Sequence, residues 1–490
     1  MPVGFDLVPA NAAASGVFVE QRIKKVGVGG LVIPERVLVL GQYNTGKTPT
    51  VNVPVNFDNP DSVGQAYGRG SELHILAKAV SRAIGSVPVD FCPLTAGTTA
   101  ATGTLTITGP ATGAGVISVY IGGDRVTCPV ANGDSANTIA TNLAAAINAQ
   151  TDLMVTASAA SAVVTLTSRN KGVAMNGITL ALDINVGDLT QEPAGVSVAI
   201  VAMASGTGNP DPTTALAGLG ATWYTHIVCP YSDSTTLTAL KTAGDNRFDP
   251  GVKRQFVAYV GTAMTYAAFQ TFLGTIPNSQ WIAPLNVEGL YDYPGEMVAA
   301  FVGFAAASAQ VNPERPCKNV TVQGCRSDPT KAWTYAQKNA TVLAGGSTFT
   351  PFSDGSFAFS DVITAYTKNA QGAADSSYQQ ACTVHGNQAK SYSLENLFLG
   401  TPFDRATIVD DLAVTGKDYA ISPKRAKGFL IGLIDGLWIA QGWSKNRDAI
   451  VASIIVEVDG NNPNRLNFQL QDSPAAALSI IAIRDNWSFQ

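Results

Sequence analysis

At 490 residues the chain exceeds what a single hydrophobic core organises, so roughly two to four domains are expected. A formal charge of −5 with no dense Lys/Arg run supplies no basic field and argues against DNA or RNA binding. Charged residues make up only 14%, against about a quarter in ordinary globular proteins, which fits a surface partly covered by other protein.

The first residues, Met1 to Asp6, lack a basic segment and a continuous apolar run, so secretion is not expected and the chain reads as cytoplasmic in origin. The longest small-apolar run, Met297 to Ala309, falls short of the roughly 20 residues of a membrane helix and reads as a buried helix. The six cysteines, at 92, 128, 229, 317, 325 and 382, show neither CxxC nor a histidine at ligand spacing. They are expected to be small buried residues, with no metal and no disulfide framework.

In chain order, Gly16-Val17-Phe18-Val19-Glu20 is a short strand inside a flexible arm, residues 1–24. Val37 to Gly41 is a continuous apolar run of the kind that forms a strand buried on both faces. Directly after it, Gly41-Gln42-Tyr43-Asn44-Thr45-Gly46-Lys47-Thr48 matches the phosphate-binding expression G-x-x-x-x-G-K-[ST]. That motif works when Lys47 and Thr48 open a helix whose free N–H groups complete the cradle. Here Pro49, the β-branched Thr50 to Val53 and Pro54 read as extended chain, so Gly41, Gly46, Lys47 and Thr48 are expected to be a decoy. The best partner acid segment, Ile454 to Asp459, lies far off in a hairpin. Gly68-Arg69-Gly70-Ser71 then caps a helix over Glu72 to Ile84, with Leu73, Leu76, Ala77, Val80 and Ile84 on one face.

From Gly97 to Ser205 the texture turns to Thr, Ala, Gly and Ser, which reads as an inserted β-rich module. Its strands are expected at 105–108, 116–121, 125–130, 153–156, 163–167, 177–182 and 196–201, with one helix over Ser135 to Asn148. Residues 206–356 return to alternating order. Strands at Thr225–Cys229, Gln255–Val260, Trp281–Pro284 and Lys318–Val322, with helices between, favour a largely parallel sheet. The acids in Tyr291-Asp292-Tyr293-Pro294-Gly295-Glu296 read as first-turn complements to a helix dipole.

The last domain, residues 357–477, carries a helical stripe of Phe429, Leu430, Leu433, Ile434, Leu437 and Trp438. Lys424, Arg425 and Lys427 at its start oppose the helix dipole, so they either end in solvent or meet an acidic partner. Ile450 to Val458 is expected to be a strand, stopped by the turn residues Asp459 to Asn464. Leu466, Phe468 and Leu470 alternate with polar neighbours as its hairpin mate. Leu478 to Ile483, including Ile480, Ile481 and Ile483, is a third strand-competent run at residues 478–490. A two-stranded hairpin is marginal in water, so this tail and the first arm call for a sheet to join. The three histidines, at 74, 226 and 385, fall in no catalytic spacing, and no nucleophile or metal motif is present.

Taken together, Gly16 to Glu20, Val37 to Gln42, Gly68 to Leu73, Trp223 to Val228, Asp375 to Tyr378 and Asn462 to Leu466 resemble the contractile tail sheath proteins of myophages, particularly Mu-like phages. The resemblance implies an α/β multidomain fold. A central α/β sheath domain of the type called subtilisin-like, begun by residues 25–96, would carry the β-rich insertion on its outside and be followed by an α+β C-terminal domain facing a tube. It also implies a structural subunit of stacked six-fold rings, without enzymatic activity or cofactor, that contracts around the tail tube. Its partners would be further copies of itself, the tail tube protein, and baseplate and terminator proteins. It would reside in the virion after assembly in the host cytoplasm. In that picture Val17, Phe18, Val19, Leu466, Phe468, Leu470, Ile480, Ile481 and Ile483 link subunits by strand addition, and Lys424, Arg425 and Lys427 face the tube. The rival readings are a P-loop NTPase and a non-contractile shell or fibre protein.

Overall fold

The structure is a computed structural model that describes residues 34–185, 187–411, 419–479 and 481–484. Val17, Phe18, Val19 and Ile480 therefore lie outside the described residues. By contact the described residues form two compact units, one holding residues 34–392 together with the stretch from Ala475, the other holding Ser393–Pro474.

In the first unit, β1 (Val37–Gln42), β2 (Val55–Asn56) and β3 (Val89–Leu94) precede the insertion, with α1 (Pro60–Tyr67) and α2 (Glu72–Val80) between them. The insertion contributes β4 (Ala100–Thr108), β5 (Gly115–Ile121), β6 (Asp124–Val130), α3 (Ala136–Ala149), β7 (Val155–Ala160), β8 (Val163–Lys171), β9 (Leu180–Leu182) and β10 (Ser197–Ala204). Then come α4 (Thr213–Ala217), β11 (His226–Cys229), α5 (Ser234–Phe248), β12 (Val257–Thr262), α6 (Tyr266–Leu273), β13 (Ile282–Asn286) and α7 (Pro294–Val311).

The main sheet runs β13-β12-β11-β1-β3-β2, parallel except at the short β2 edge. Every residue of β1, β11, β12 and β13 is buried, the burial expected of strands covered on both faces. β3, whose run Val89-Asp90-Phe91-Cys92-Pro93-Leu94 is broken by an acid and a proline, lacked a clear sequence pattern, and its pairing with β1 decides it. Helices α2 and α7 pack on this sheet and on each other. Their approach requires Gly303, where an added Cβ would stand 2.3 Å from the Val80 carbonyl oxygen.

The insertion folds into two antiparallel sheets, β10-β4-β8-β7 and β6-β5-β9, with α3 on them. Ile139, Leu143 and Ile147 of α3 are fully buried, as their spacing requires. The order of strands, helix and strands matches the sequence reading, with β4, β7, β8 and β10 longer than expected and β9 shorter.

The remainder of this unit holds β14 (Val320–Thr321), α8 (Tyr335–Leu343), β15 (Thr348–Pro351) and β16 (Phe357–Asp361). The expected parallel strand at Lys318–Val322 is corrected here. It is the two-residue edge β14 of a separate antiparallel sheet, β14-β16-β15, because its partner is β16. Phe357 and Phe359 are buried in this unit's core, and the Phe359 ring meets Phe301 edge-on at 5.1 Å. Residues 357–392, read above with the C-terminal domain, thus pack with the α/β unit.

α9 (Ala381–Leu399) begins on the N-terminal ends of the strands. There the His385 ring stacks on His226 at 4.2 Å, both buried. His385 Nδ1–H donates to Gln388 Oε1 at 3.3 Å and its Nε2 accepts from Tyr259 OH at 2.9 Å, which fixes a neutral tautomer. His226 Nδ1 lies 3.0 Å from Thr225 Oγ1, whose hydroxyl donates to Glu35. Burial lowers both histidines to about 3, while desolvation raises the Glu35 carboxyl. Four residues beyond Gly386, Lys390 pairs with Glu314 at 3.1 Å, both buried; a Cβ on Gly386 would meet that carboxylate at 2.1 Å.

The second unit contains β17 (Thr407–Ile408), β18 (Ala420–Ile421), α10 (Pro423–Leu433), a π-helical turn Ile434–Ile439, α11 (Arg447–Ser453), β19 (Ile455–Val458) and β20 (Leu466–Gln469). Trp438, carried inward by the π turn, is buried and donates its indole N–H to Ser393 Oγ at 2.9 Å. One expectation is corrected. The strand over Ile450–Val458 starts only at Ile455, because Ile450 is the buried residue of α11. The run 478–483, expected to pair in a neighbouring copy's sheet, forms no strand within this single chain among its described residues, which leaves that expectation untested.

Gly303→Ala is expected to cost about 1 to 3 kcal/mol by overpacking the α2–α7 contact. Gly428→Ala, in open space on α10, is expected to gain up to about 1 kcal/mol of helix propensity; denaturant midpoints check both. For the histidines, the unfolded chain takes up protons near pH 6.5 and the folded one only near 3. The unfolded state therefore binds more protons in between, and stability falls as pH drops below about 6.5. Glu35 works the other way, protonating earlier in the fold than outside it, and offsets part of this loss. His226→Asn is expected to flatten the stability-against-pH slope between about pH 6.5 and 5 by up to roughly 1.4 kcal/mol per pH unit, read from chemical denaturation at several pH values.

Candidate functional site

In an open parallel sheet, ligands bind outside the C-terminal strand ends where the strand order reverses direction. Here that point lies between β1 and β11: the chain leaves β1 for β3 on one side and later adds β11, β12 and β13 on the other. The side chains there are Gln42 at the end of β1, Glu72 in the first turn of α2, Tyr231 just past β11 and Tyr293 before α7, all buried. Ser71 caps α2 by accepting from His74 N–H, which sets Glu72 at the sheet's end.

Glu72 Oε2 accepts from Tyr231 OH at 2.6 Å and from Gln42 N–H at 2.9 Å, and Oε1 accepts from Tyr293 OH at 2.6 Å. Burial raises its pKa, and the tyrosine hydroxyls and Gln42 pull back against that rise. The rest of the crevice is filled by the insertion. Asn170 Oδ1 accepts from Glu72 N–H at 2.7 Å, and its amide donates to Tyr43 O at 2.9 Å. Gln42 donates to Lys171 O at 2.7 Å and accepts from Gly97 N–H at 3.1 Å. Both oxygens of the carboxylate are thus engaged by the protein, and the arrangement holds a module in place. None of these residues was singled out for this role by sequence, since Gln42 and Asn170 stand 128 positions apart.

A second fastening lies at the start of α7. Asp292 Oδ2 accepts from Arg326 N–H at 2.5 Å, and an added Cβ on Gly123 of the insertion would meet Asp292 Oδ1 at 2.1 Å. Arg326 also donates to Asn185 Oδ1 at 2.6 Å. Burial and the neighbouring Glu296 raise the Asp292 pKa, and burial raises Glu296 to about 7 despite its ion pair with Arg82. These acids hold the insertion and Arg82 in addition to sitting at a helix start.

The phosphate-loop match has a different geometry from a nucleotide cradle. Gly46 turns the chain at φ +92°, and residues 47–50 form no helix. Lys47 Nζ donates to the Gln65 carbonyl at 2.7 Å, beside an open hollow of about 360 Å³ lined by Gly46, Thr48, Phe57 and Tyr67.

Of the three bases on α10, Lys424 and Arg425 are exposed. Arg425 donates to Ala420 O at 2.7 Å and stands over the Phe429 ring, while Lys427 donates to Ile454 O at 2.7 Å. Ser422 caps the helix. In the hairpin, Val456 pairs with Phe468 and Val458 with Leu466; Leu470 lies just past the strand. Phe468 rests on Phe398 with ring centroids 4.6 Å apart. Leu478, Ile481 and Ile483 are 67%, 73% and 86% exposed. The structure thus leaves these apolar side chains open, while placing the three bases together at one helix start.

Residues 205–365, from just after β10 to the loop after β16, match the family described as phage tail sheath protein central domain. The Mu-like prophage FluMu tail sheath protein of Haemophilus influenzae is 27% identical over 471 residues, 95% of this chain and 96% of that protein. Among solved structures, the sheath tail protein of Desulfitobacterium hafniense is similar at 13% identity and TM-score 0.49, covering 94% of this chain and 97% of that one. The sheath tail protein Lin1278 of Listeria innocua is similar at 13% identity and TM-score 0.49, covering 91% and 92%. With the sheath central domain matched over residues 205–365 and a tail sheath relative similar to it almost end to end, the chain is similar to the phage tail sheath proteins.

Proposed function

We propose that this chain is the repeating subunit of a contractile sheath, stacked as six-fold rings around a tail tube and shortening without nucleotide hydrolysis. The observation that carries the reading is the near end-to-end match to a tail sheath protein, with the family's central domain inside it. Its partners are further copies of itself, the tail tube protein, and baseplate and terminator proteins; it resides in the virion after assembly in host cytoplasm.

Two features support linkage by added strands. β19 and β20 form a sheet of their own, with Ile455 53% exposed, and such a pair gains stability from further strands. The tail from Leu478 presents apolar side chains to solvent. A strand of about five residues forms roughly four backbone hydrogen bonds, each worth about 0.5 to 1.5 kcal/mol net. Such bonds depend on local register alone, so they persist while whole subunits rotate. Lys424 and Arg425, exposed at one helix start, suit an acidic tube surface.

Removing residues 478–490 is expected to leave a folded subunit that no longer forms stable tubes. Negative-stain microscopy reads this, and undiminished tubes would overturn strand linkage. Nucleotide binding is expected to be undetectable by calorimetry for wild type and Lys47→Ala alike; binding that this substitution abolishes would favour an NTPase. Lys424→Glu is expected to weaken sheath capture by purified tube, most at low salt, measured by co-sedimentation.

A further inference from the structure

The four-stranded sheet of the insertion has two edges, β7 and β10, and the protein treats them differently. On β7 the Asn148 side chain imitates a neighbouring strand. Its amide donates to Ala157 O at 2.7 Å and accepts from Ala157 N–H at 2.9 Å, closing the middle of that edge. β10 has no such cover among the described residues. Its sequence, Ser197-Val198-Ala199-Ile200-Val201-Ala202-Met203-Ala204, contains no charge and no proline, the usual guards of an edge strand. A register shift falls between Val201 and Ala204, so the regular part is Ser197–Val201, and Val201 is 61% exposed.

Sheet edges accept extended chain, and the side chains of β10 specify which. Ser197, Ala199 and Val201 are exposed on one face beside Thr108, Thr106 and Thr104 of β4, while Val198 and Ile200 are half-buried on the other. An antiparallel strand reading the same five residues backwards about Ala199 sets Ser197 against Val201 and Val198 against Ile200. Small residues continue the threonine face, branched ones continue the core face, and no like charges meet. We propose that β10 is a docking edge for a second copy of this chain, two chains pairing β10 to β10 into one continuous eight-stranded sheet.

Such a pair has a two-fold axis, and chains stacked in one direction along a tube have none between them, so the pair is a form of the free chain. The proposal stands apart from the sheath reading. The full chain, purified without tube, is expected to sediment at twice its monomer mass at high concentration, and Val201→Lys, at an exposed position, to return it to monomer with an unchanged melting temperature. Ala199→Cys, at the centre of the pair, is expected to give a disulfide-linked dimer under mild oxidation, and Ser158→Cys on the guarded β7 edge to give none. A monomer at all concentrations, a dimer indifferent to Val201→Lys, or equal cross-linking at both cysteines would overturn the pairing. Should Val201→Lys fail to fold, the cysteine pair decides the matter alone, and tube formation by any of these variants leaves the sheath reading untouched.

Discussion

The first unit depends on a buried carboxylate. Glu72 sits where a parallel sheet reverses its strand order, and two tyrosine hydroxyls and a backbone N–H surround its oxygens. A carboxylate so desolvated is costly unless its lone pairs are met, and meeting them fixes the ends of β1, β11 and the start of α7 relative to one another. The same residue's N–H, with Gln42 and Asn170, then locks the insertion onto that junction. A crevice that other α/β proteins keep open for ligands is here filled with the protein's own chain. That use of the junction is mechanical, as suits the sheath reading.

The opposite end of the sheet is closed in a related way. His226 and His385 stack as neutral rings, and Lys390 meets Glu314, so the first half of α9 is held by polar contacts inside an apolar setting. Contacts of this kind tolerate little displacement, because a buried polar group that loses a partner when the helix moves finds no water to replace it. Against that rigidity stand parts left incomplete among the described residues: a two-stranded hairpin, an apolar tail in solvent and the open β10 edge. A rigid body with unfinished sheets is what a polymer subunit under load requires, since deformation is then confined to the links between copies.

Local chemistry and distant chemistry were legible to different degrees. The runs Val37–Gly41 and Thr225–Cys229, the capped helix at Ser71 and the texture change at Gly97 all announced themselves, because each is a pattern within about a dozen residues. The expectation that the phosphate-loop match is a decoy also rests on local grounds, the β-branched and proline residues after Thr48. Ile450–Val458 misled because one apolar run served two elements, a buried helical residue followed by a strand. Lys318–Val322 misled because an apolar run does not say which sheet it will join.

By itself, then, the sequence determined the α/β alternation, the presence of an inserted β-rich module, the hairpin at Asn462 and the sheath resemblance, all carried by residues close together in the chain. Only the tertiary structure decided that Glu72, Gln42, Tyr231, Tyr293 and Asn170 form one junction, that two remote histidines stack, and that Asn148 guards β7 while β10 stays open. The physical reason is that burial and hydrogen-bond satisfaction belong to positions in space, and a single sequence records only the order in which the chain reaches them.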